Sequence, residues 1–228
     1  MIVKFTIVFI IALLNIILGV VIYKKNTKSK SNIYYTLMCI TGGLWAIFMS
    51  WLLIERNLYV LENFVIKGIY IFGTLPPLFY LLFAYNFPYK LKVYSKRVIS
   101  LIYFIPAVFI LLILFGFFKM ESVVIIDNIL NQKSVHLDYT CFTLYFFTYI
   151  LWGLVILVRK IKRDPGSYKN QIRYLIIATI GTFITTGFVS VILPLFNNFT
   201  YDWLSPLFLL IHFGVAGYLI FYYPKKQK

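Results

Sequence analysis

The sequence predicts an all-α membrane protein, a bundle of seven transmembrane helices. Its mean hydropathy of +0.87 lies far above that of a soluble domain. Hydrophobic residues make up 61% and charged residues 13%, where an ordinary globular chain carries about a quarter charged. Seven apolar runs, near 2–23, 33–54, 64–86, 98–118, 139–158, 174–196 and 203–223, approach or exceed the roughly 20 residues needed to cross a bilayer. No junction between them is long enough for a soluble domain, so residues 1–228 form one transmembrane domain.

The first run is followed, not preceded, by its basic flank "KKNTKSKSN", and no A-x-A-like site comes after it. It therefore reads as a retained span and not as a cleaved leader. Orientation comes from the junctions at 24–32, 88–97 and 159–173 and the tail at 224–228, which hold 4, 4, 6 and 3 of the 22 Lys/Arg residues. The alternate side holds only Lys4, Arg56, Lys67, Lys119 and Lys133, with every acid except Asp164. Basic loops stay cytoplasmic, so the N-terminus is expected outside and the C-terminus inside. The basic residues are spread over four short junctions without a nucleic-acid-binding motif, and nucleic acid is not an expected partner.

The second run, "GGLWAIFMSWLL", belongs to a span that also carries Cys39; Cys141 begins the fifth, too distant in depth for a disulfide. Lys67 enters the third run about one turn deep. Either its stem snorkels to the interface, or it meets a carboxylate or ligand from another span. Pro76-Pro77 then remove two backbone donors in mid-helix, which predicts a kink and a candidate hinge. Pro206, near the outer end of the seventh run, is a second hinge candidate. Between the fourth and fifth runs, "SVVII" and "SVHL" flank Asn128 and Asn131, predicting a small extracellular β-hairpin or an irregular loop. The Asp-Pro-Gly of "RDPGSYKNQ" ends the fifth helix and restarts the sixth.

In the sixth run Ala178, Thr182, Thr186 and Ser190 recur every four residues. Such a face either packs closely on a neighbour or forms the polar wall of a cavity. His212, in the middle of the seventh, is either a hydrogen-bonded interior residue, or a ligand contact or proton switch. No Asp or Glu lies mid-span, as ion pathways usually require, and no phosphate-cradling, nucleophile-elbow or metal-ligand spacing is present. The expectation is a protein without enzyme activity, metal or cofactor. The seventh run has no lysine from Trp203 to Tyr223, which argues against a retinal protein.

Four stretches in order, "GGLWAIFMSWLL", "YIFGTLPPLFYLLFAYNF", "YKNQIRYLIIATIGT" and "GVAGYLIFYY", resemble the N-terminal seven-span sensory region of bacterial histidine kinases. The resemblance covers nearly the whole chain and implies a receptor half in the bacterial cytoplasmic membrane. The phospho-acceptor and nucleotide motifs of a kinase do not follow "IFYYPKKQK", so kinase activity is not implied. The functional expectation is a stand-alone sensor that binds an extracellular or membrane ligand and signals to a separate partner. A small transporter is the alternative. Expected partners are the lipid bilayer, a cytoplasmic signalling protein such as a kinase, and a second copy of the chain. Lys67, Thr182, Thr186, Ser190 and His212 are the ligand candidates. Lys169, Gln171, Arg173, Lys225 and Lys226 form the expected output face.

Overall fold

The computed structural model describes residues 2–90, 94–117, 121–126, 129–135, 137–163, 166, 168–193, 196 and 200–221. Helices α1 (Ile2–Lys25) and α2 (Lys30–Leu52) come first. Helix α3 runs from Leu58 to Asn86; its turn Leu61–Ile66 is π-helical and Lys67–Asn86 is α-helical. Helix α4 (Lys96–Leu114) is followed by the antiparallel strands β1 (Glu121–Ile126) and β2 (Ile129–Val135). Helix α5 covers Leu137–Arg163, and α6 covers Lys169–Gly187 with a π-helical extension, Phe188–Ile192. A 3-10 turn, Asp202–Leu204, leads into α7 (Ser205–Phe221).

Six of these helices are long and apolar enough to cross a membrane: α1, α2, the Leu61–Asn86 part of α3, α4, α5 and α6. Helix α7 is apolar but its 17 residues make it shorter than the other six. Asn128, Asp164, Pro165, Lys225 and Lys226 lie outside the described residues.

Local chemistry sets the helix ends. Ser29 and Ser95 accept the backbone N–H groups of Asn32 and Val98 at the starts of α2 and α4, as N-cap hydroxyls do. Helix α4 ends at Leu114 and not near 118. The reason is Gly116, at φ +74°: the Phe117 N–H bonds the Leu112 carbonyl at 2.9 Å and the Gly116 N–H bonds the Ile113 carbonyl at 3.1 Å. That is a Schellman stop, which needs a residue able to take a left-handed conformation. Helix α3 continues through Pro76 and Pro77, where each proline leaves the carbonyl four residues earlier, that of Phe72 or Gly73, without its helical donor. Pro206 lies in the first turn of α7, where a missing N–H costs little. It starts a helix there and does not interrupt one.

The helices neighbour one another in the ring α1–α2–α3–α5–α6–α7, which closes α7 onto α1, with α4 outside against α3. Close approach is built into α2, where a Cβ on Gly43 would lie 2.6 Å from Ile16 Cγ1 and 2.9 Å from the Ala12 carbonyl. Side chains also tie α2 to α1: Asn32 Nδ2 donates to the Ile22 carbonyl at 3.1 Å and Thr36 Oγ1 to that of Gly19 at 3.0 Å. Without water to expel, such packing and hydrogen bonds hold helices together in lipid. Exposed Ile10, Leu13, Leu14 and Ile17 give α1 an apolar outer face suited to acyl chains.

The two ends of the bundle differ. At one end the strands lie against the start of α3. The other collects the ends of α1, α3 and α5 and the starts of α2, α4 and α6, with their basic residues. Buried Lys160 works at this basic end. Its ammonium donates to the carbonyls of Ala84 (2.7 Å), Tyr85 (3.0 Å) and Phe87 at the end of α3. Lys25 Nζ similarly meets the Phe221 carbonyl at the end of α7, at 2.7 Å. A cation at a helix C-terminus satisfies carbonyls that have no helical donor and opposes the negative end of the dipole.

Candidate functional site

A cavity of about 170 Å³ occupies the half of the bundle nearest the strands. Helix α2 contributes Trp45, Met49 and Leu52 to its wall, and α3 contributes Ile66, Tyr70, Gly73 and Pro76. From α5 come Tyr139, Phe142, Thr143, Phe146 and Phe147; from α6, Thr179, Thr182, Phe183, Thr186 and Ser190. Asp202, Leu209 and His212 close it from the side of α7. Both π-helical turns border the cavity, through Ile66 and Ser190, and such turns are frequent at functional sites.

Polar groups in the wall fall into levels set by helix geometry. At the rim, Ser190 Oγ donates to Asp202 Oδ1 at 2.6 Å and meets Ser205 Oγ, while the Tyr139 hydroxyl donates to the Ser190 carbonyl. Burial pushes the Asp202 carboxyl up to about 6, against the pull of the Ser190 and Ser205 hydroxyls. One turn deeper stand Thr143 and Thr186, whose hydroxyl oxygens are buried without a hydrogen-bond partner. Deepest is His212, 5% exposed, whose ring lies beside the backbone of Ala178 and whose Nδ1 is buried without a hydrogen-bond partner.

Of the residues singled out in the sequence, Thr182, Thr186, Ser190 and His212 meet in this wall, and Pro76 borders it. Ala178 is not among the lining residues; its backbone lies beside His212. Lys67 is not among the lining residues; it is half-buried on α3, its Nζ 3.9 Å from where a Cβ on Gly116 would be. Lys169 and Arg173 are exposed at the start of α6, whereas Gln171 is buried. Sequence reasoning misses the α5 wall and the rim role of Asp202. Thr143 follows Tyr139 by one helical turn within an aromatic run that gives no periodic polar signal, while an acid just ahead of an apolar run is a usable clue. Among the described residues no group of three or more His, Cys, Asp or Glu could hold a metal ion.

An apolar helical bundle with a cavity in one half and basic residues gathered at the opposite end has the architecture of a membrane-embedded domain. The chain belongs to the family described as the N-terminal 7TM region of histidine kinase, whose model matches residues 7–224. It is thus a membrane protein of a family of sensory modules. No curated protein matches the chain.

Proposed function

We propose that the chain is the ligand-sensing membrane module of a signalling system, with the cavity as its ligand site. The observation that carries this reading is that five helices, α2, α3, α5, α6 and α7, wall one cavity near the strands and share a basic opposite end. A ligand that prefers one arrangement of these helices shifts their far ends as well. In this reading α7 completes a seven-span bundle in the bacterial cytoplasmic membrane, with the β1–β2 hairpin extracellular and the basic end cytoplasmic, as the division of Lys and Arg favours. The signal passes through Lys169, Gln171 and Arg173 to a cytoplasmic partner such as a kinase.

Two measurements test it. On a background without Cys39 and Cys141, a membrane-impermeant thiol reagent should label Lys133→Cys in intact cells and not Lys169→Cys. Filling the cavity with Thr182→Trp should change the spin-label distance between positions 28 and 169 by about 1–2 Å, the scale of helix shifts in known switches. The lipid-facing control Ile180→Trp should not. Equal distances in both variants, with solute flux in proteoliposomes, would replace the sensor by a transporter.

A further inference from the structure

The cavity contains hydrogen-bonding groups that the protein leaves unused, and their chemistry specifies a ligand. Nearly all buried polar atoms in folded proteins have a partner. Here Thr143 Oγ1, Thr186 Oγ1 and His212 Nδ1 are all buried, all in one cavity wall, and all unpartnered. The two threonines could each have turned back to bond their own helix, as Thr74, Thr148 and Thr179 do.

The histidine is the selective element. Its ring lies beside the Ala178 backbone, and its Nδ1 is buried without a hydrogen-bond partner. A proton on Nε2, the nitrogen left to face that backbone, gives Nδ1 a free lone pair. A neutral imidazole in that tautomer can only accept at Nδ1. What fits against it is an N–H or O–H donor.

Size and polarity narrow the class further. A cavity of about 170 Å³ is close to the roughly 150 Å³ of an apolar cavity that takes benzene. Phe142, Phe146, Phe147, Phe183 and Trp45 make its middle aromatic. Apart from Asp202 at the rim, the lining residues, including those at the level of His212, carry no charge. An ion seated there would be desolvated without a counter-charge.

We infer that the cavity binds a neutral, ring-sized apolar molecule bearing one N–H or O–H donor, which bonds His212 Nδ1, with Thr143 and Thr186 available to any polar group nearer the rim. This inference rests on the cavity being the ligand site and adds the class of ligand. The donor lies deepest and enters first, so binding selects against molecules that match the shape but lack the donor. An unmet acceptor in a dry pocket penalises such isosteres far more than a missing methylene does.

The test uses the full chain in nanodiscs, with matched probes and empty nanodiscs subtracted. Indole and 3-methylindole carry the N–H; 1-methylindole has the same volume as the latter without it. Equilibrium dialysis should show both N–H probes binding at least about tenfold more tightly than 1-methylindole, the scale of one hydrogen bond to a buried acceptor. Phenol should likewise exceed anisole. His212→Phe should abolish the preference, and His212→Gln, which keeps an acceptor, should restore it in part. If wild-type protein binds all three indoles alike and Thr182→Trp removes them all, the site stands but the donor rule is overturned. If none binds saturably, the ligand class is wrong, and the sensor reading is decided separately by the spin-label distances.

Discussion

Replacing Lys160 by methionine should cost the fold about 2–4 kcal/mol. Lys160 is fully buried, and its ammonium donates to three carbonyls at the end of α3, with the Tyr89 hydroxyl bonding its own carbonyl at 3.4 Å. Methionine fills nearly the same volume, so the packing loss is small and the change isolates the polar term. Each carbonyl deprived of a charged donor loses about 1–3 kcal/mol if it stays buried. Removal of the desolvated charge itself gives part of this back. For a chain of this length 1 kcal/mol moves the melting temperature by about 2–4 °C, so the expected fall is about 5–15 °C in detergent or nanodiscs. Thermal unfolding followed by near-UV circular dichroism, beside the exposed control Lys162→Met, reads it directly. If Lys160→Met melts within about 2 °C of wild type, the three bonds do not hold α5 to α3 and the argument fails.

Three other substitutions probe the packing and the rim. The Asp202 carboxyl titrates near 6 when folded against about 3.9 in an unfolded chain, so its raised value opposes folding at higher pH. Stability should fall as pH rises from about 4 through about 6, and Asp202→Asn should flatten that dependence in melts across the window; an unchanged pH profile would contradict the burial of the carboxyl. A Cβ at Gly153 would come within 2.5 Å of Tyr80 Cε1, whereas nothing lies within 4 Å of one at Gly181. Gly153→Ala should therefore destabilise by about 1–3 kcal/mol, and Gly181→Ala should stabilise by about 0.5–1 kcal/mol; melts showing the reverse order would refute the close contact between α3 and α5.

Much of the fold is legible in the sequence because lipid demands long apolar helices, and those are visible as runs. Part of the cavity is legible as well, since the four-residue repeat on α6 marks one face wherever that face points. Its meaning is not: Thr182 and Thr186 look the same in sequence whether they pack on a helix or line a space. The α5 wall is hidden because Phe142, Phe146 and Phe147 are as suited to lipid as to a cavity. Lys160 looks like one more charge of a cytoplasmic junction, for local sequence does not reveal that α5 continues to Arg163 and turns this residue inward. The apolar run of α4 overstates the helix because Gly116 interrupts no apolar pattern; only its positive φ shows the stop.

The lysine contacts at the basic end also decide which motions are mechanically cheap. The Lys160 ammonium engages carbonyls from three residues of one helix end. Successive carbonyls are offset by about 100° around a helix axis, so rotation of α3 by a single residue would carry all three away from a donor that is itself packed in place. Helices α3 and α5 are thereby coupled like two gears with their teeth engaged. Helix α7 is joined differently: the exposed Lys25 reaches the Phe221 carbonyl, and the buried Tyr35 hydroxyl donates to the Phe213 carbonyl at 2.5 Å. Each of these donors meets a single carbonyl, so neither indexes the rotation of α7 as three carbonyls on one ammonium index that of α3. The bundle thus has one pair indexed by a shared ammonium and one helix joined through separate single bonds, and that helix, α7, also carries His212 in the cavity wall.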